Sequence, residues 1–148
     1  MKLRISEFLS NVQENEDVAF SAELRCPCGC REFSIQYKGK QTKGILAPYI
    51  VRANNRLAIK AACKSCNKQV VLYDSSTDGT NADYFSLAED FIKFTLPKSD
   101  SDFYKLVVKY NYYPENFKID GEYSDQFENC FIYIIHNGKE KALIEVEV

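Results

Sequence analysis

A chain of 148 residues, 45% hydrophobic and 27% charged with ten Tyr and ten Phe, is too apolar and aromatic to remain disordered and long enough to bury a core as one domain or two small ones. Its formal net charge of -2 lacks the long-range attraction of a strong nucleic-acid binder. No run approaches the ~18 apolar residues that span a bilayer, and the start Met-Lys-Leu-Arg-Ile-Ser-Glu-Phe has neither the apolar core nor the cleavage site of a signal peptide, so the expected location is the cytoplasm.

In chain order, Ile5, Phe8, Leu9 and Val12 make a helical stripe, which the acidic run Glu14-Asn15-Glu16-Asp17 interrupts; a short N-terminal helix is expected. From Val18 the period changes to two. Val18, Phe20, Ala22 and Leu24 lead into Cys26-Pro27-Cys28-Gly29, and Phe33, Ile35 and Tyr37 follow it, which predicts a hairpin with the cysteines at its tip. The design recurs around Cys63-Lys64-Ser65-Cys66, with Leu57, Ile59 and Ala61 entering and Val70, Val71, Leu72 and Tyr73 leaving. A long connection, residues 39 to 55, separates the two.

The stretch after Tyr73 is polar and marks a loop or boundary, dividing the chain at 1–74 and 75–148, either as two units or as two parts of one domain. A second short helix is expected next, with Ser86 and Glu89 spaced as a capping box, an apolar face of Leu87, Ala88, Phe91 and Ile92, and Pro97 as its stop. Residues 103 to 112 fit both periods. Tyr104, Leu106, Val108, Tyr110 and Tyr112 alternate without a break and are strand formers, so a strand is expected. Asn137-Gly138, between two strand-like runs, is a hairpin turn. The fold class is therefore α+β, mainly antiparallel strands.

Six cysteines in a chain without an export signal point to metal ligation and free thiols rather than disulfides. Two turn-held thiolate pairs supply the four soft ligands of a closed, structural, tetrahedral zinc site. Cys30 is an alternative to Cys28 as ligand, and Cys130, in an apolar strand, is a buried inert thiol. Two other readings stay open. Cys63 and Cys66 have the spacing of a redox pair, although a strand follows them where such chemistry uses a helix N-terminus, and four thiolates also ligate iron–sulfur clusters.

With both cysteine knuckles in view, residues 17 to 73 resemble the zinc-ribbon superfamily, and the whole is similar to proteins of bacterial genomes. The resemblance implies two knuckle-bearing hairpins clamping one structural Zn²⁺. It makes Cys26, Cys28, Cys63 and Cys66 the ligands, with Gly29 easing the turn and Lys64, Ser65 and Asn67 offering backbone N–H groups to the sulfurs.

Charge divides the chain. Residues 26 to 73 carry a net +8 and residues 74 to 148 a net -8. Lys38, Lys40, Lys43, Arg52 and Arg56, interleaved with Tyr37 and Tyr49, form a candidate polyanion-binding loop. The competing explanations are that cations offset a thiolate-rich metal centre and that the basic part faces the acidic one. Weaker signals are a calcium-loop pattern at Asp74, Ser76, Asp78 and Gly79, which lacks its final Glu because Phe85 stands there, the single histidine, His136, beside a turn, and the acids Asp120, Glu122, Asp125 and Glu128. The leading expectation is a zinc-stabilised adaptor that contacts a protein rather than an enzyme. Nucleic-acid binding through the 38–56 loop ranks second, and a hydrolase last.

Overall fold

The computed structural model of the chain describes residues 4–15, 18–42, 49–53, 56–75, 91–96, 101–124, 127–136 and 138–147. Alternating apolar residues rich in Phe, Tyr, Ile and Val favour pleated strands, and among the described residues thirteen form: β1 Leu9–Asn15, β2 Ala19–Leu24, β3 Phe33–Lys38, β4 Lys40–Thr42, β5 Tyr49–Val51, β6 Ala58–Cys63, β7 Gln69–Asp74, β8 Ile92–Phe94, β9 Lys105–Asn111, β10 Lys118–Ile119, β11 Glu122–Tyr123, β12 Asn129–His136 and β13 Lys139–Glu147. They build a five-stranded sheet in the order β1-β2-β9-β12-β13, a four-stranded sheet in the order β7-β6-β3-β8, and two small ribbons, β4-β5 and β10-β11. Every strand pairing is antiparallel. Both larger sheets draw strands from either side of residue 75. No helix among the described residues is long and apolar enough to cross a membrane.

The expected strand at 103–112 is β9, and its alternation sets the core. Leu106, Val108 and Tyr110 are buried while Lys105 points to solvent. Phe20, Ala22 and Leu24 of β2 and Phe33, Ile35 and Tyr37 of β3 join one apolar cluster with them. Each fully buried Phe or Ile contributes about 1.5–3 kcal/mol of transfer free energy. The expected C-terminal hairpin forms as β12-β13, with His136 opposite Lys139, while Asn137 of its turn lies outside the described residues. An Asp120-Gly121 turn with φ of 54° and 81° closes β10-β11 by the same chemistry.

Three expectations change. The N-terminal helix is only a 3-10 turn, Arg4–Phe8. Its i, i+3 geometry is enough to bury Ile5 and Phe8, after which β1 takes over and leaves Val12 exposed on a sheet edge. The second helix falls mostly outside the described residues, but Ile92, assigned to its apolar face, lies in β8. The first cysteine pair is not at a hairpin tip. β2 pairs with β1 and β9, and β3 with β6 and β8, so residues 25 to 32 carry the chain from one sheet into the other. Alternation specifies which side chains face inward and not which strand lies alongside, so two consecutive strands can satisfy it in different sheets. The second pair does close a hairpin, β6-β7.

The sheets are stitched at two places. Phe33 and Tyr104 exchange backbone hydrogen bonds of 2.9 and 2.8 Å at the strand starts. Within β7, Tyr73 pairs with Ile59 and Val71 with Lys60, so Leu72 is a bulge outside the ladder. The buried Tyr110 hydroxyl donates to its carbonyl at 3.0 Å. Because that acceptor would otherwise lie buried without a ladder partner, Tyr110→Phe is expected to cost about 1–3 kcal/mol. Urea unfolding of the metal-replete protein measures it, and an unchanged midpoint would refute the role assigned to the hydroxyl.

Candidate metal centre

Two tight turns bring four sulfurs together. In the first, the Gly29 N–H donates to the Cys26 carbonyl at 2.8 Å, the Cys26 N–H donates to the Cys30 carbonyl at 2.8 Å, and Gly29 takes φ +100°. In the second, the Asn67 N–H donates to the Cys63 carbonyl at 2.9 Å, the Cys63 N–H donates to the Lys68 carbonyl at 3.0 Å, and Asn67 takes φ 63°. The Lys64 N–H donates to the Glu32 carbonyl at 3.0 Å and ties one turn to the other. The Arg25 N–H reaches the Phe8 carbonyl at 2.7 Å, which anchors the N-terminal turn beside them.

The Sγ atoms of Cys26, Cys28, Cys63 and Cys66 all lie within 4.8 Å of one another. Two of the close separations cross between the turns, 3.4 Å for Cys26 to Cys66 and 3.6 Å for Cys28 to Cys63. Metal–sulfur bonds of about 2.3 Å in a tetrahedron put the sulfurs about 3.8 Å apart, whereas a disulfide needs about 2.05 Å. The four thiols are therefore spaced to hold one metal ion. Cys26 and Cys63 are buried, and Cys28 and Cys66 are exposed. Cys30 is directed away, its thiol against the Glu32 carbonyl at 3.5 Å.

The turns dress the sulfurs with backbone donors. Burial pushes Cys26 up to about 12 against the Cys28 N–H. The Lys68 N–H, with the nearby Cys26 thiol, brings Cys66 down to about 7. Burial raises Cys63, but the N–H groups of Cys66 and Ser65 outweigh it and leave the thiol lowered. Cys28 receives the Cys30 N–H and the Cys26 thiol, yet contact with Cys63, burial and contact with Cys66 leave it raised. Of the N–H donors expected at the second turn, Ser65 serves a sulfur. The Lys64 and Asn67 N–H groups go to carbonyls, because closing the turn and joining it to the first use them.

Basic residues of the 26–73 segment are drawn into ion pairs. Arg31 pairs with Glu23 at 2.7 Å, Lys64 with Glu32 at 3.1 Å, Lys68 with Glu7 at 2.9 Å and Arg56 with Asp74 at 2.9 Å. Lys60 is only 4% exposed, its ammonium 4.4 Å from the centre of the Phe91 ring. Of the candidate loop, Lys38 stands over the same ring at 5.5 Å, Arg52 hydrogen-bonds the Tyr73 hydroxyl, Arg56 is held by buried Asp74, and Lys40 is exposed. Lys43 lies outside the described residues.

Asp74, first residue of the calcium-loop pattern, is fully buried against Arg56, and Ser76, Asp78, Gly79 and Phe85 lie outside the described residues. Asp120 and Glu122 are exposed at the β10-β11 turn, Glu128 lies against the Tyr113 hydroxyl, and Asp125 is not described. Cys130 is wholly buried, which pushes its thiol well up. No protein-family model matches the chain, and neither the curated proteins nor the solved structures include a significant match.

Metal ligation requires thiolates. Cys26 and Cys28, both raised above the ordinary 9.0, carry protons at neutral pH and must lose them to bind. Apparent metal affinity is therefore expected to fall by about two log units or more per pH unit between about pH 8 and pH 6. Competition with a chromophoric chelator at several pH values measures the slope, and a flat profile would show that these thiols are not the ligands.

Proposed function

We propose that the chain is a binding protein built around one structural zinc ion, with a protein as its partner. The identity of the metal is argued from the donor set. Four thiolates at tetrahedral separation suit zinc and complete its shell, leaving no open position for water and so favouring a structural over a catalytic role. Apparent binding free energies of structural zinc run to about 10–16 kcal/mol in small fingers, comparable with the whole net stability of a domain.

The observation that favours a protein partner is the local neutralisation of the basic segment. Arg31, Lys64, Lys68 and Arg56 are each held by an acid, so part of the net +8 of residues 26 to 73 is offset locally. Apolar side chains are meanwhile offered at strand edges. Ile92 is 55% exposed on β8 and Val12 40% exposed on β1, each strand at the end of its sheet. Nucleic-acid binding is the second reading. It rests on exposed Lys40, Tyr49 and Arg52 on and beside the β4-β5 ribbon.

The purified protein is expected to contain one zinc per chain and, once chelated, to lose cooperative unfolding of the metal-bearing part. Verified metal removal without a change in thermal unfolding would overturn the structural role. Fluorescence anisotropy of the metal-replete protein with single-stranded and duplex oligonucleotides separates the two partner readings. No binding at low salt is expected. Binding that weakens with salt and again in Lys40→Glu/Arg52→Glu would make the nucleic-acid reading the correct one.

A further inference from the structure

The four thiols are not equivalent: two are buried and two are exposed. Each exposed sulfur has a buried sulfur of the other turn 3.4 or 3.6 Å away: Cys66 with Cys26, and Cys28 with Cys63. We propose that the centre is also a thiol-oxidation site, at which a hydroperoxide converts the four cysteines into two crossed disulfides, Cys26–Cys66 and Cys28–Cys63, and releases the metal. This rests on the metal reading above.

The steps balance with the peroxide as sole oxidant. An exposed thiolate, Cys66 or Cys28, attacks one peroxide oxygen. The O–O bond breaks, a sulfenic acid forms, and hydroxide leaves to be protonated by solvent. The buried thiolate of the paired cysteine then attacks that sulfur, forming the S–S bond and expelling a second hydroxide. Each disulfide takes two electrons from sulfur to one peroxide. Closure to about 2.05 Å needs each pair to approach by about 1.4–1.6 Å, a shift within reach of side-chain rotation in tight turns.

The crossed pattern has a structural consequence. Both bonds link residues 25 to 32, where the chain passes from the five-stranded to the four-stranded sheet, to the β6-β7 turn. These are the segments the metal holds together. Oxidation would exchange one staple for another, so the oxidised chain stays tied where the chelated, reduced chain does not. A redox pair of the Cys-x-x-Cys kind would instead join Cys63 to Cys66 and leave the two turns unlinked.

Trypsin separates the alternatives, because Cys26 and Cys28 share the peptide 26–31, Cys63 falls in 61–64 and Cys66 in 65–68. Zinc content of the purified protein is measured first, then zinc release on hydrogen peroxide treatment, then the linkage map by mass spectrometry without reduction. The expected result is stoichiometric release and a three-peptide assembly whose fragments assign Cys26–Cys66 and Cys28–Cys63. A 61–64 to 65–68 pair, sulfinic or sulfonic products, or zinc retained under peroxide would overturn the proposal. Absence of zinc before peroxide would overturn the metal reading instead, and the same peptide map would still decide the pairing. Cys30→Ser is expected to leave both readouts unchanged, and loss of the crossed pattern in that variant would name Cys30 as a pairing thiol and overturn the assignment.

Discussion

Four sulfurs meeting across two turns is the constraint from which the rest of the architecture follows. One turn is the passage from the five-stranded sheet to the four-stranded sheet, and the other closes β6-β7. The meeting of the two turns sets the angle at which the chain leaves β2 and enters β3. That angle brings Phe33 to Tyr104, whose mutual backbone bonds join the sheets again one residue pair further in. Without the bridging contact, the passage would be an eight-residue connection held by Gly29 and a few hydrogen bonds.

Beyond this junction the core is aromatic. Tyr110 and Phe127 have ring centres 4.7 Å apart, and Phe20 stacks on Tyr123 at 4.1 Å. Burial and the Glu14 carboxylate raise Tyr123 to about 12, so its hydroxyl stays a donor and ties the β10-β11 ribbon to β1. Tyr110 serves twice, as a core ring and as the donor that accommodates the β7 bulge. Such bivalent residues suit a junction between sheets, where ladders end and carbonyls need partners that strands no longer provide.

The electrostatic arrangement separates composition from surface. A segment with net +8 looks like a polyanion-binding site when counted. In space Lys68, Arg31, Lys64 and Arg56 pair with Glu7, Glu23, Glu32 and Asp74. Three of those acids precede residue 33, so the basic segment is neutralised largely from the N-terminal side and from within rather than by the acidic C-terminal part. The three exposed pairs, to Glu7, Glu23 and Glu32, add little stability each. Their effect here is to remove open positive charge.

Local chemistry was legible in the residues. The alternation of Tyr104 through Tyr112 marked β9 and its buried face, Asn137-Gly138 marked the β12-β13 hairpin, and the cysteine clusters marked where thiols would gather, with Cys28 and Cys30 left as alternatives, because side-chain period and turn geometry are properties of a few adjacent residues. Asp120-Gly121 carried the same turn signal, although the reading of the sequence did not use it. What required the tertiary structure was partner choice. β2 and β3 alternate as a hairpin would yet belong to different sheets. Ile92 fits a helix stripe yet pairs as a strand, and Arg56 counts as a loop cation yet is committed to Asp74. Cys30 stands beside the ligand pair yet turns to a carbonyl. In each case the sequence determined what a residue can do, and the distant surface that reached it first in the folded chain decided what it does, since burial and pairing energies depend on neighbours that sequence proximity does not specify.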